Sequence, residues 1–208
     1  MKEPDRRIYT QGQRAEKTAA STERILETTR TLVLDLGHVP GLDVVAAEAG
    51  VSVQTILRKF GSKEGLLRAS AESAMARVSA ERNAVTPGDV SEAIDNLLDH
   101  YDAWGDRSLR LLSLEGQGPT FATLLAGTRA LHRAWVERAF GPQLAALALD
   151  IRGRRLAQLV ALTDVYVWKL LHRDQGLDRV DTRTALTELI EAVLGTPGHP
   201  TGRSGGSS

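Results

Sequence analysis

The chain of 208 residues contains no cysteine, which excludes disulfide staples, thiolate zinc sites and a cysteine nucleophile. Aromatic residues are scarce, at 4% against 42% hydrophobic residues in all, so the core must be aliphatic, built from Leu, Val and Ala. No apolar run approaches the ~18–20 residues that a membrane span needs. The polar opening MKEPDRRIYTQGQR carries no signal-like apolar stretch, and a cytoplasmic protein without membrane contact is expected. Strand signals are missing too: there is no sustained period-two alternation and no Asn-Gly or Asp-Gly between apolar runs. Net charge is absent as well, since 26 Lys and Arg balance 26 Asp and Glu. Taken as a total, that neutrality argues against a nucleic-acid binder.

What is present reads as helix throughout. Prolines fall at 4, 40, 87, 119, 142, 197 and 200, and none interrupts a periodic apolar segment. Because proline inside a helix costs ~3 kcal/mol or more, the intervals between them are free to hold whole helices. Ile25, Leu32, Val33 and Leu36 predict a helix over 18–36, stopped by Gly37. Short helices follow over 42–49 and up to Phe60, and Ser62 is placed to cap a longer one over 63–82. Thr86-Pro87 signals the next start, for a helix through Trp104 that Gly105 interrupts before a short one at 108–115. Helices over 121–140, 154–172 and 182–194 complete an all-α chain of about nine helices. The segment 154–172 is apolar nearly all round, which predicts burial on every side, partly against another chain. Residues 195–208 are Gly/Ser/Pro-rich and are expected to be a disordered tail.

The most informative stretch is LDVVAAEAGVSVQTILRKFGSKEGLL, residues 42–67. Two short helices joined by a three-residue turn form a helix-turn-helix when small residues allow them to cross, which Ala46 supplies. The turn needs a residue tolerant of positive φ, which is Gly50. Val45, Ala49, Val51, Ile56 and Phe60 are spaced to lock the pair, and Ser52 is placed to cap the second helix.

With Val45-Ala46, Ala49-Gly50-Val51-Ser52, Thr55-Ile56-Leu57, Phe60 and Ser62-Lys63-Glu64-Gly65-Leu66-Leu67, the window resembles the tetracycline-repressor (TetR) family of regulators. Glu23-Arg24-Ile25-Leu26 and the closing Gly37 are similar to that family's first helix. The specific resemblance covers about residues 18–70; beyond it, the Trp135 and Asp164–Trp168 regions are broadly similar to one subgroup's ligand domain. Leu57 stands where the family has a Tyr that packs on the DNA backbone, Lys59 replaces its usual His, and Pro40-Gly41 takes the place of a Thr. The resemblance implies a basic arm (1–17, expected to be flexible), a three-helix DNA-binding domain (18–61) and a larger helical ligand-sensing and dimerisation domain (62–194, with 62–82 connecting). It also implies a homodimer on a palindromic operator, acting as a repressor that answers to a small, mostly apolar effector.

The local chemistry agrees. The N-terminal part of a recognition helix enters the major groove, which places Val53, Gln54 and Thr55 nearest the bases, with the capping Ser52 also among the expected DNA-binding residues. Gln pairs bidentately with adenine, Val and Thr touch a thymine methyl, and Arg58 reaches guanine or phosphate. Lys59 and Lys63 suit phosphate. Arg6, Arg7, Arg14 and Lys17 are the arm's cations. For the effector, the expected lining residues are Tyr101, Trp104, Phe121, His132, Trp135, Asp164 and Trp168, aromatics beside a few polar groups. His100, His132 and His172 lack metal spacing, so no metal is expected. No G-x-S-x-G, H-E-x-x-H or Walker loop is present, so neither an enzyme nor a cofactor is expected. The alternatives are a helical interaction module and a regulator without a ligand pocket.

Dividing the charge alters the first reading of neutrality. Residues 51–70 carry four cations (Arg58, Lys59, Lys63, Arg68) against Glu64, and residues 6–17 four against Glu16, each a net +3. Residues 86–120 carry seven acids against Arg107 and Arg110, a net −5. A basic head and an acidic body sum to zero.

Overall fold

The computed structural model describes residues 5–195, with side chains from Glu16 onward. Its regular structure is helical: α1 Asp5–Leu36, α2 Leu42–Ala49, α3 Val53–Phe60, α4 Lys63–Arg82, α5 Val90–Ser113, α6 Pro119–Ala139, α7 Gly141–Ala145, α8 Leu149–Leu162, α9 Val165–Trp168 and α10 Arg179–Leu194. A π-helical turn, Lys169–Asp174, follows α9. The helices form two compact units. One holds the chain up to Glu81 with Asp106–Leu131; the other holds Arg82–Gly105 and the chain from His132 onward. Among the described residues, no helix is long and apolar enough to cross a membrane.

Several boundaries differ from the sequence expectation, each for a local reason. α1 starts at Asp5 where the apolar pattern begins near Thr18; the side chains of Arg6, Arg7 and Arg14, like the tail beyond Gly195, lie outside the described residues. Thr86-Pro87 does not open α5 directly. Gly88 turns the chain at φ 93°, and Asp89 takes over the start, its carboxylate accepting from Glu92 N–H at 2.9 Å while the Glu92 carboxylate accepts from Thr86 N–H at 3.0 Å. Phe121 and Leu114 pack with Val33 in the first unit.

The expected helix over 154–172 is broken at Thr163-Asp164. The Thr163 hydroxyl donates back to the Leu159 carbonyl at 2.7 Å, and its own carbonyl accepts from the Tyr101 hydroxyl at 2.8 Å. Asp164 then caps α9 by accepting from Tyr166 N–H at 2.9 Å. Side-chain hydrogen bonds to backbone thus replace the helical ladder for one turn. Trp168 and Leu159 are buried, but Tyr166 and Leu170 are each 52% exposed, so this segment is not enclosed on all sides in one chain.

Gly105, expected to interrupt the chain, lies inside the continuous helix α5. A Cβ there would stand 2.6 Å from Trp168 Cζ3, and Trp168 is fully buried with no room to retreat. Gly-to-Ala inside a helix gains about 1 kcal/mol, whereas overpacking a core costs about 1–3 kcal/mol. Gly105→Ala is therefore expected to lower the melting temperature, and an unchanged or raised melting temperature would contradict the close approach of this ring.

The acids of α5 find partners on α10. Arg179 pairs with Asp99 at 2.6 Å and with Asp102, and Arg183 donates to Asp95 at 2.7 Å and to Ser91 Oγ at 2.7 Å. The hydrogen bond from Arg183 holds the Asp95 carboxyl below the usual carboxylate range. Exposed pairs of this kind contribute about 0–1 kcal/mol each, so their value lies in fixing the register of α10.

Candidate functional site

The helix-turn-helix is built by local capping and one small core. α2 ends on Gly50 in the left-handed region, at φ 64° and ψ 41°, and the Val51 N–H returns to the Ala46 carbonyl at 2.9 Å. That closure satisfies carbonyls which a helix end otherwise orphans. The Ser52 hydroxyl accepts from Thr55 N–H at 3.1 Å and shares a 2.9 Å hydrogen bond with Thr55 Oγ1. α3 ends on Gly61, at φ 79°, and the Ser62 hydroxyl accepts from Gly65 N–H at 3.0 Å in the first turn of α4. Ile25, Leu26, Val45, Ala46, Ala49, Ile56 and Leu66 form the buried core, with Val51, Val53 and Phe60 packed against it.

This packing decides what α3 presents. Val53, Ile56 and Phe60 face inward, leaving Gln54, Leu57 and Arg58 exposed and Thr55 half-buried. Lys59 Nζ donates to Thr22 Oγ1 on α1 at 2.7 Å, and Lys63 Nζ donates to the Val39 carbonyl just before α2 at 3.3 Å. Both cations thus lie at the edges of α3. The start of α2 has no side-chain cap, in keeping with Gly41 where a hydroxyl residue is usual. Arg24, part of the stretch similar to the family's first helix, donates through Nε to the Ala49 carbonyl at 3.0 Å. It clamps the C-terminal end of α2, where the helix dipole favours a cation.

Residues 41–70, which hold α2, α3 and the first turns of α4, match the family model for bacterial regulatory proteins of the tetR family. The likeness to that family spans the helix-turn-helix and the start of α4. A solved structure from Pseudomonas aeruginosa PAO1, described as a transcriptional regulator, is similar to it with a TM-score of 0.62 at 14% identity, covering 84% of this chain and 90% of the other. At that identity the likeness is one of fold. A TetR-family regulator from Streptomyces coelicolor reaches a TM-score of 0.48 at 17% identity, over 84% and 94% of the two chains. No curated protein sequence matches. The described helices outside that match have the all-α architecture expected from the sequence.

In the second unit of the chain, four of the seven expected ligand residues come together. Tyr101, His132, Trp135 and Trp168 form a chain of ring contacts and hydrogen bonds with Thr163. Tyr101 and Trp168 have centroids 5.7 Å apart, and His132 stacks on Trp135 at 5.9 Å. His132 Nε2 lies 3.2 Å from both the Val160 carbonyl and Thr163 Oγ1. Asp164 is occupied as the α9 cap, Trp104 is half-buried, and Phe121 belongs to the first unit.

The residue that sequence reasoning missed is Arg82. At the last turn of α4 it reads as an ordinary complement to the helix dipole, yet it is only 5% exposed. Its guanidinium stacks over Trp135 at 4.0 Å, and Nη1 donates to His132 Nδ1 at 3.2 Å. That contact, with the Val160 carbonyl on the other side, requires neutral His132 protonated on Nε2. Burial, with Arg82 adding to it, pushes the His132 imidazole down to about 4 and the His100 imidazole down to about 3. Burial likewise lowers the Arg82 guanidinium and raises the Tyr101 phenol. No group of three or more His, Cys, Asp or Glu that could hold a metal occurs among the described residues.

Proposed function

We propose that this protein is a TetR-family regulator: a cytoplasmic repressor, with no enzymatic activity, that binds a palindromic operator as a homodimer and is controlled by a small, mostly apolar effector. The observation that carries the DNA reading is the division of α3 into an inner face held by Ile56 and an outer face of Gln54, Leu57 and Arg58. Gln54 is assigned to adenine, Val53 and Thr55 to a thymine methyl, and Arg58 to guanine or phosphate. Ser52 holds the start of the helix, while Lys59 and Lys63 at its edges contact phosphates. The dimer reading rests on exposed apolar side chains concentrated from α8 to α10: Leu149, Tyr166, Leu170, Val180 and Leu189. A second copy of the chain covers them across a two-fold axis, the commonest oligomer symmetry.

Selection of bound sequences from a random duplex pool tests the whole reading. The expected result is a palindrome with half-sites about one helical turn apart, or a multiple of that. A non-palindromic site, or a stable monomer in light scattering at micromolar concentration, would sink the dimer. A helical interaction module predicts instead no affinity for duplex DNA even at low salt, where phosphate contacts are strongest.

The two classes of contact separate by mutation. Arg58→Ala is expected to lower operator affinity about tenfold and to relax preference at one position, as for a lost base contact of about 1–3 kcal/mol. Lys63→Ala should weaken all sequences alike and reduce the salt slope by about one. Equal loss of discrimination in both variants would refute the assignment.

A further inference from the structure

The guanidinium of Arg82 is buried without a counter-charge. Two of its nitrogens, Nε and Nη2, are enclosed and make no hydrogen bond of normal geometry; the polar side chain that favours its charged form is the Tyr101 phenol. The acid nearest in influence is Asp164, which acts on Tyr101 and His132 but is engaged in capping α9, and no carboxylate acts on Arg82 itself. The Trp135 indole Nε1 and the His100 Nδ1 are also buried and unpartnered. A buried polar group is normally paired, because leaving it unmade forfeits its desolvation energy. Here several such groups occur together around one cation, in one unit of the chain. The stacking of Arg82 on Trp135 compensates part of the charge, but a ring face does not accept the in-plane N–H groups.

The unpaired atoms specify what is missing. Nε–H and one Nη2–H lie on the same edge of the guanidinium plane, the fork that receives a carboxylate bidentately. Trp135 Nε1 is donor-only, so it too calls for an acceptor. One cation beside neutral His132 and His100 supplies a single positive charge, which suits a monoanion better than a phosphate dianion. The buried rings next to this cation, Trp135 and, beyond it, Tyr101 packed on Trp168, are apolar, which suits a ligand with an apolar body.

We infer that the effector of this regulator is a small organic monocarboxylate with an apolar body, held by the Nε–Nη2 edge of Arg82 with Trp135 Nε1 as a further donor. The inference rests on the proposed effector response, and it names the chemistry of that effector. Arg82 is a binding residue; His132 positions it by fixing Nη1, which turns the Nε–Nη2 edge toward the ligand.

The test uses the full-length protein and a panel of aromatic and medium-chain aliphatic monocarboxylates, each paired with its primary amide. Binding is read by quenching of the tryptophan fluorescence and by the rise in melting temperature. At least one carboxylate should bind about a hundredfold more tightly than its amide, the factor for two charge-assisted hydrogen bonds. Arg82→Met should abolish that preference, and Arg82→Lys, which keeps the charge but not the fork, should lose most of it. Amides binding as well as carboxylates, a preference surviving in Arg82→Met, or no protection by any carboxylate at about millimolar concentration would each overturn the inference. If Arg82→Met fails to fold, the carboxylate–amide comparison on the native protein decides alone. Release of operator DNA by neutral compounds only would overturn the carboxylate while leaving the effector reading intact. Absence of DNA binding without any ligand would instead remove the regulator reading, and carboxylate binding would still be measurable by melting.

Discussion

Replacing Ile56 by alanine is expected to unfold the helix-turn-helix and with it to abolish operator binding. Ile56 is fully buried at the centre of the core formed with Ile25, Leu26, Val45, Ala46, Ala49 and Leu66. Truncating a buried isoleucine costs about 2–5 kcal/mol, a large share of the 5–15 kcal/mol typical of a whole domain. α3 has only eight residues, too few to persist in water on backbone hydrogen bonds alone. Its packing face therefore holds it, and the exposed face is displayed only while that packing lasts. Leu57→Ala is the matched control: at 41% exposure it should leave stability nearly unchanged. Denaturant melts and gel shifts on the two variants check this, and an Ile56→Ala protein that melts like the native one would contradict the core.

Acid is expected to destabilise the second unit well before the carboxylates titrate. In the folded chain the His132 imidazole titrates at about 4 and the His100 imidazole at about 3, against an ordinary value of 6.5. Both folded values are depressed, so the unfolded chain binds more protons as soon as the pH falls below about 6.5, and stability is lost progressively from there toward pH 4. At pH 5 the loss is about 2 kcal/mol for each histidine. The groups responsible are the buried surround itself and the Arg82 cation, with Asp164 and the Val160 carbonyl acting in the opposite sense on His132. Glu27 and Asp95 are both held below the ordinary carboxyl range by arginine hydrogen bonds, so their contribution is lost only at lower pH. The melting temperature should therefore fall between pH 7 and 5, and His132→Gln, neutral throughout, should flatten that slope. A melting temperature independent of pH over this interval would show that the histidines are not buried as neutral groups.

The parts of the fold legible in the sequence are those set by neighbours along the chain. Gly37, Gly50 and Gly61 end helices because each takes a positive φ, and Ser52 begins α3 through a bond to a residue three positions on. The inward face of α3 follows from apolar spacing alone. The same local reading failed at Gly105 and across 154–172. Apolar periodicity says nothing about a tryptophan ring pressed against a glycine from elsewhere in the chain, or about a tyrosine hydroxyl capturing a mid-helix carbonyl.

Charge illustrates the boundary most clearly. Counting along the chain separates a basic head from an acidic stretch at 86–120, and this much the sequence determines by itself, together with the all-α class and the helix-turn-helix. Only the tertiary structure decided that Asp95 and Asp99 are met by Arg183 and Arg179, 88 and 80 residues away, so the acidic stretch is largely paired. It likewise decided that Arg82, unremarkable at a helix end, meets His132 50 residues on and is buried without an acid. The reason is physical. Capping and periodicity act over a few residues and are written in consecutive letters, whereas burial and ion pairing depend on which distant side chains the packed helices bring into reach.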